Sequence, residues 1–127
     1  MNRMLLLVGM GGFFGSIVRY LASLFFTRFL SPGFPWRTFW VNVIGCFLVG
    51  IFYGLSNRFN WFRPEWHIFL TVGFCGGFTT FSSFAYENIK LLQSAQYFTF
   101  AVYSISSFAL GLLAAFIGLL LTKINII

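Results

Sequence analysis

Gly73-Phe74-Cys75-Gly76-Gly77-Phe78-Thr79-Thr80-Phe81-Ser82-Ser83-Phe84 lies inside a long apolar segment, yet it holds three glycines, four hydroxyl side chains and four phenylalanines. Glycine lowers helix stability, and hydroxyls satisfy backbone groups that a broken helix releases. Irregular backbone survives in a bilayer only where protein buries it or where it lines a polar cavity. The stretch therefore predicts a membrane helix with an interruption, and a site at that interruption.

The rest of the chain agrees with a membrane setting. Of its 127 residues, 59% are hydrophobic and 8% charged, and the mean hydropathy is +0.88. A soluble domain is about a quarter charged, so this chain cannot solvate a globular surface. It reads as an all-α integral membrane protein, one four-helix transmembrane domain over residues 1–127. The net charge of +6 does not point to nucleic acid, because the cations are dispersed and most sit where apolar segments end. Cys46 and Cys75 belong to no metal-ligand pattern and read as small buried thiols. The N-terminus lacks a small-residue cleavage site and reads as a retained helix.

Four segments are long enough to span: Met4 to Phe26, Thr38 to Leu55, Glu65 to Gln93, and Tyr97 to Leu121. Ser31 to Pro35 and Asn57 to Pro64 are the breaker-rich loops. Trp36, Trp40, Trp61 and Trp66 flank the starts of the second and third segments, as ring systems with one polar edge do at a membrane interface. Four spans put both termini on one side. That side carries Arg3, Arg58, Arg63 and Lys123, and the other carries Arg28, Arg37 and Lys90. So slight an excess does not fix an orientation, and the expectation is insertion both ways round, with an antiparallel, dual-topology homodimer about an in-plane two-fold axis. Three small-residue stripes permit close helix approach, within a subunit or between subunits: Gly11 with Gly15, Gly50 with Gly54, and Ser107 with Gly111 and Ala115.

The third segment is too long for one straight span. Trp66 to Leu92 is about 27 residues, roughly 40 Å of helix against a core of about 30 Å. A break at Gly76–Thr79 falls near the bilayer midplane, where two copies would meet on the axis. Carbonyls freed there suit a hard cation such as Na⁺.

Polar groups inside the spans each need a reason. Thr38 and Asn42 share a face of the second segment, Tyr103 and Ser107 share a face of the fourth, and Ser82 and Ser83 lie between Phe81 and Phe84. These are donors in series without an acid or base among them, suited to solvating an anion. The ordinary alternative is that serines and threonines bond their own helix carbonyls. Phe81 and Phe84 either pack as core or present positive ring edges. Arg19 must snorkel or face a wet vestibule. Glu87, the one acid well inside a span, is within reach of Lys90. His67 reads as an exposed residue at the interface. With no aspartate, two glutamates and one histidine, general acid–base chemistry has little to work with, and no enzyme is expected. Gly9 to Gly15 does not fit G-x-G-x-x-G, since position 14 is Phe.

Gly12 to Tyr20, Thr38 to Gly50 and Gly73 to Phe84 together resemble the Fluc fluoride channels, also called the CrcB family, over nearly the whole chain. The resemblance implies a passive channel that exports cytoplasmic fluoride across the bacterial inner membrane, through two pores per antiparallel homodimer. It also implies a central structural Na⁺ held by the backbone carbonyls of Gly76 and Thr79. By position, Phe81 and Phe84 match the phenylalanines that face fluoride, Asn42 the pore asparagine, and Arg19 the vestibule arginine. Thr38, Tyr103 and Ser107 resemble the hydroxyl track, with Ser82 and Ser83 beside it. Gly111 stands where relatives can carry a further hydroxyl. The competing reading is a dual-topology, small multidrug-type, proton-coupled exporter. That chemistry wants a carboxylate in the first span, and the first segment has none. A structural subunit of another complex is a third class, and predicts no flux from the purified protein.

Overall fold

The computed structural model describes residues 2–30, 33–59 and 61–122. Ser31 and Pro32 of the first predicted loop, Asn60 of the second, and Lys123 of the charge comparison lie outside the described residues. Among the described residues all regular structure is helical: α1 (Asn2–Phe29), α2 (Trp36–Arg58), α3 (Pro64–His67), a π-helical stretch (Ile68–Cys75), α4 (Gly76–Phe78), α5 (Phe81–Gln93) and α6 (Tyr97–Thr122). α3 through α5 form one span, Pro64–Gln93, so four helical segments are long and apolar enough to cross a membrane. The chain is a multi-pass membrane protein, and its spans reach a few residues beyond most of the boundaries expected from hydropathy.

The spans alternate in direction. Arg3 pairs with Glu65 at 3.5 Å, setting the start of α1 beside the start of the third span. The Arg58 guanidinium donates to the Thr122 carbonyl at 3.0 Å, so α2 and α6 end together. Toward the other end, Thr38 in α2, Glu87 in α5 and Tyr103 in α6 converge. Helix packing is strongly paired, α1 with the third span and α2 with α6.

Glycine makes both pairings possible. A Cβ on Gly77 would sit 2.7 Å from the Gly12 carbonyl oxygen, and one on Gly118 would be 2.9 Å from the Ile51 nitrogen. Backbone therefore meets backbone, where dispersion and close approach replace the hydrophobic drive that lipid removes. Gly11 and Gly15 face the third span, and Gly50 and Gly54 face α6, so these stripes serve packing within the chain. The π-helical stretch presents the backbone of Phe69 and of Phe74, five residues on, to Gly11 of α1, as a wide turn should.

The turn between α5 and α6 holds the one non-glycine residue with positive φ among those described, Ala95 at 57°. The Gln96 N–H bonds the Leu91 carbonyl at 2.9 Å, which closes the helix end around that left-handed residue. Glycine is the relaxed residue at such a position. Ala95→Gly is expected to stabilise the fold by about 0.5–1 kcal/mol, the left-handed penalty less the greater freedom of glycine in the unfolded chain. Thermal unfolding in detergent checks this, and a lower melting temperature would contradict it.

Candidate functional site

The third span leaves helical geometry at Thr79 (φ −82°, ψ 160°) and Thr80 (φ −150°, ψ 120°). Gly76 and Gly77, the expected weak points, keep right-handed helical geometry in α4, and the two threonines carry the extended backbone. The reason is local. Thr80 can act as the N-cap of α5, its hydroxyl accepting from the Ser83 N–H at 3.2 Å. Thr79 bonds back to the Cys75 carbonyl through its hydroxyl at 2.9 Å, closing the helix before it.

Asn42 holds this point from α2. Its Oδ1 accepts from the Thr80 N–H at 2.8 Å, and its Nδ2 donates to the Thr80 carbonyl at 3.0 Å. One amide thus bridges both backbone groups of one residue and keeps a single amide hydrogen free. In a continuous helix the Gly76 carbonyl would accept from Thr80 N–H, and the Thr79 carbonyl from Ser83 N–H. Asn42 takes the first donor and the Thr80 hydroxyl takes the second, so both carbonyls lack their helical partners. Gly76 is exposed, and a Cβ there would meet nothing within 4 Å. Two backbone carbonyls without helical partners, with open space at Gly76, fit the donor chemistry of a hard cation such as Na⁺. Among the described residues no cluster of three or more His, Cys, Asp or Glu side chains competes for a metal.

Phe81 and Phe84 follow the break with ring centroids 5.9 Å apart. Phe81 is 78% exposed on the chain's outer surface. Phe84 turns inward and meets the Tyr103 ring at 5.0 Å. Ser82 is exposed, with its hydroxyl 3.3 Å from that of Thr80. Ser107, one turn beyond Tyr103, has a buried hydroxyl oxygen without a partner. A buried polar group left unsatisfied in a membrane span needs an explanation, and a ligand is one.

Glu87 ties the two predicted hydroxyl faces together, and sequence reasoning left its role open. Thr38 donates to its Oε2 and Tyr103 to its Oε1, each at 2.8 Å. Its charge partner is Arg37, with Nε 3.6 Å from Oε2, rather than Lys90. The carboxylate reaches across to α2 and α6, and the Lys90 ammonium lies over the Tyr86 ring at 5.4 Å. The one hydroxyl hydrogen of Thr38 and of Tyr103 is therefore committed to Glu87. That Glu87 was the one acid well inside a span was the available signal. His67, expected as an exposed residue, is half-buried against Tyr53 with its Nδ1 3.4 Å from the Thr71 hydroxyl.

Two polar cavities open along this network. One, about 340 Å³, is lined by Arg19, Arg37, Thr38, Thr80 and Ser83 among others. The other, about 360 Å³, is lined by Arg37, Glu87, Lys90, Gln96 and the loop before α2. Arg19 thus faces a polar cavity, as a guanidinium within a span should.

Asn42→Ala would strip the bridge from Thr80 and leave its N–H without a partner, while the carbonyl keeps its bond as the N-cap of α5. The expected cost is about 1–3 kcal/mol, read as a lower melting temperature in detergent. An unchanged melting temperature would show that Thr80 does not depend on the amide.

Residues 6–119 match the family profile described as "CrcB-like protein, Camphor Resistance (CrcB)". The chain is 45% identical over 123 residues to a protein of Azobacteroides pseudotrichonymphae, covering 97% of this chain and 98% of the relative. It is 43% identical over 122 residues to one from Leptospira interrogans, covering 96% of each. It is 50% identical over 111 residues to one from Bacteroides fragilis, covering 85% of this chain and 87% of the relative. All three relatives carry the name "Fluoride-specific ion channel FluC".

Proposed function

The chain belongs to the CrcB-like family, and from that premise we propose that it is a passive, fluoride-selective channel that lets cytoplasmic fluoride leave across the bacterial inner membrane. The observation that carries this reading is similarity along nearly the whole chain to proteins named as fluoride-specific channels. The site chemistry supports it as well, because the unpartnered Ser107 hydroxyl and the cavity lined by Arg19 and Arg37 offer a donor and cations, while the nearby Glu87 carboxylate is held by Thr38, Tyr103 and Arg37.

Fluoride is small and a strong hydrogen-bond acceptor, so its water must be replaced closely. The donors free for this are the orphan hydroxyl of Ser107, the remaining amide hydrogen of Asn42, and the hydroxyls of Ser82 and Ser83. The positive edges of Phe81 and Phe84 add contacts where water is excluded. Thr38 and Tyr103 act through Glu87, holding the carboxylate in place. Arg19 draws anions into the cavity it lines. Chloride is larger and a weaker acceptor, and gains less from the same close donors.

A homodimer completes this reading. The exposed Phe81 ring and the open face of Gly76 lie on the chain's surface, where one copy alone leaves them against lipid. An antiparallel second copy, allowed by the near-balanced charges, would cover them and give two pores per dimer. The carbonyls of Gly76 and Thr79 would then hold a structural Na⁺ on the axis. When bound, Na⁺ supplies a fixed positive charge that compensates carbonyl dipoles in a dry place.

Purified protein in liposomes is expected to release fluoride electrogenically and chloride little. Equal chloride flux would end the selectivity claim. Phe81→Ile is expected to lower fluoride flux by at least about tenfold, if the ring edge supplies more than 1.4 kcal/mol at the barrier, while the dimer still assembles on size exclusion. Unchanged flux would remove that ring from the path.

A further inference from the structure

Arg37 and Thr27 line both of these cavities, and among the described residues Arg37 is the only cation that does so. It stands one residue before Thr38, and both reach the same atom. The Arg37 Nε lies 3.6 Å from Glu87 Oε2, and the Thr38 hydroxyl donates to that oxygen at 2.8 Å. The Glu87 side chain is 12% exposed and that of Arg37 is 56% exposed.

The fold has little need of this ion pair. A pair with one partner this exposed, and with a separation beyond hydrogen-bond range, contributes little to stability. Thr38 and Tyr103 already hydrogen-bond the two carboxylate oxygens. What the hydroxyls leave uncompensated is the negative charge. The cavity lined by Arg19 and Arg37 has no acid, and the other has one, Glu87. A carboxylate in the lining of the second repels an anion that enters it.

Resting on the fluoride reading above, we propose that Arg37 is a positioning residue for anion entry. Its guanidinium, which lines both cavities, cancels the Glu87 charge in one of them, and so sets how readily an anion enters. The half-exposed side chain keeps its remaining donors facing the cavities, so the same group that masks the carboxylate also attracts the anion.

Fluoride efflux from liposomes tests this with the charge at position 37 varied in place. Arg37→Gln is expected to lower flux about tenfold at low salt, and the gap to wild type should narrow at high salt, because a partly exposed charge is screened. Arg37→Lys should keep most of the flux. In Arg37→Cys, a positively charged methanethiosulfonate reagent should raise flux and a negatively charged one should lower it. Wild-type protein treated in the same way controls for Cys46 and Cys75. A merely structural arginine would show no ordering by charge and no salt dependence. The inference is overturned if Arg37→Gln matches wild type at low salt, or if the two reagents give the same flux. Wild-type liposomes that release no fluoride would remove the channel reading, and this inference with it.

Discussion

The bond between the Asn42 side chain and the Thr80 backbone is the constraint on which the rest of the site depends. In lipid, each backbone polar group must find a partner in the protein, and a helix does this without help. Where the third span turns extended, the Thr80 N–H would be orphaned, while its carbonyl, as that of the N-cap, opens the α5 ladder. One amide on a neighbouring helix takes the N–H at 2.8 Å and adds a second bond to the carbonyl at 3.0 Å. Because Thr80 N–H is engaged sideways, the Gly76 carbonyl loses its helical donor. Because the Thr80 hydroxyl caps α5, the Thr79 carbonyl loses its own. The break is thus stabilised at its donors and left open at its acceptors, a combination that suits a cation. It also gives Asn42 a structural task in addition to the role of anion donor that the family resemblance implies.

Glu87 raises the opposite problem, a negative charge in a span of a chain with a net charge of +6. An isolated carboxylate there would be costly by several kcal/mol. Two hydroxyls and one guanidinium, drawn from two other helices, compensate it. The direct helix contact between α5 and α6 is slight beside that of the paired helices, so polar bonds carry much of the union. Ser104 donates to Asn88 one residue further on, at 3.3 Å, in the same junction.

The spans were legible because their signal is local: about 20 apolar residues bounded by loops and tryptophans. The disturbance in the third span was legible too, from its glycines and its length. Its position was legible only in part, since the expected Gly76–Thr79 reaches the extended backbone at Thr79 alone, and glycine permits a break without requiring one. Gly77 instead serves close packing on Gly12, and the extended backbone falls on two β-branched threonines that tolerate it. The Glu87 network was out of reach. Thr38 lies 49 residues from Glu87 and Tyr103 lies 16 away, so no helical period relates them. Glu87 and Lys90 stand at pairing distance in sequence, and yet two hydroxyls and a guanidinium on other helices outcompete one exposed ammonium.

Packing also decides where an ion can travel. Gly12 against Gly77, and Gly118 against Ile51, bring backbones so close that neither helix pair has room for an ion between its members. The polar space lies instead between the pairs, in the two cavities around Arg37 and Thr27. Beyond them the chain offers its outer surface, where the Phe81 ring is 78% exposed. A hydrated anion could follow such a surface, but a dehydrated one could not, because lipid supplies no donors. The selectivity proposed for this chain requires dehydration, and dehydration requires that surface to be closed by protein. The second copy proposed above would supply that closure, and the glycine contacts, by leaving no room within a helix pair, give it a reason apart from the charge balance of the sequence.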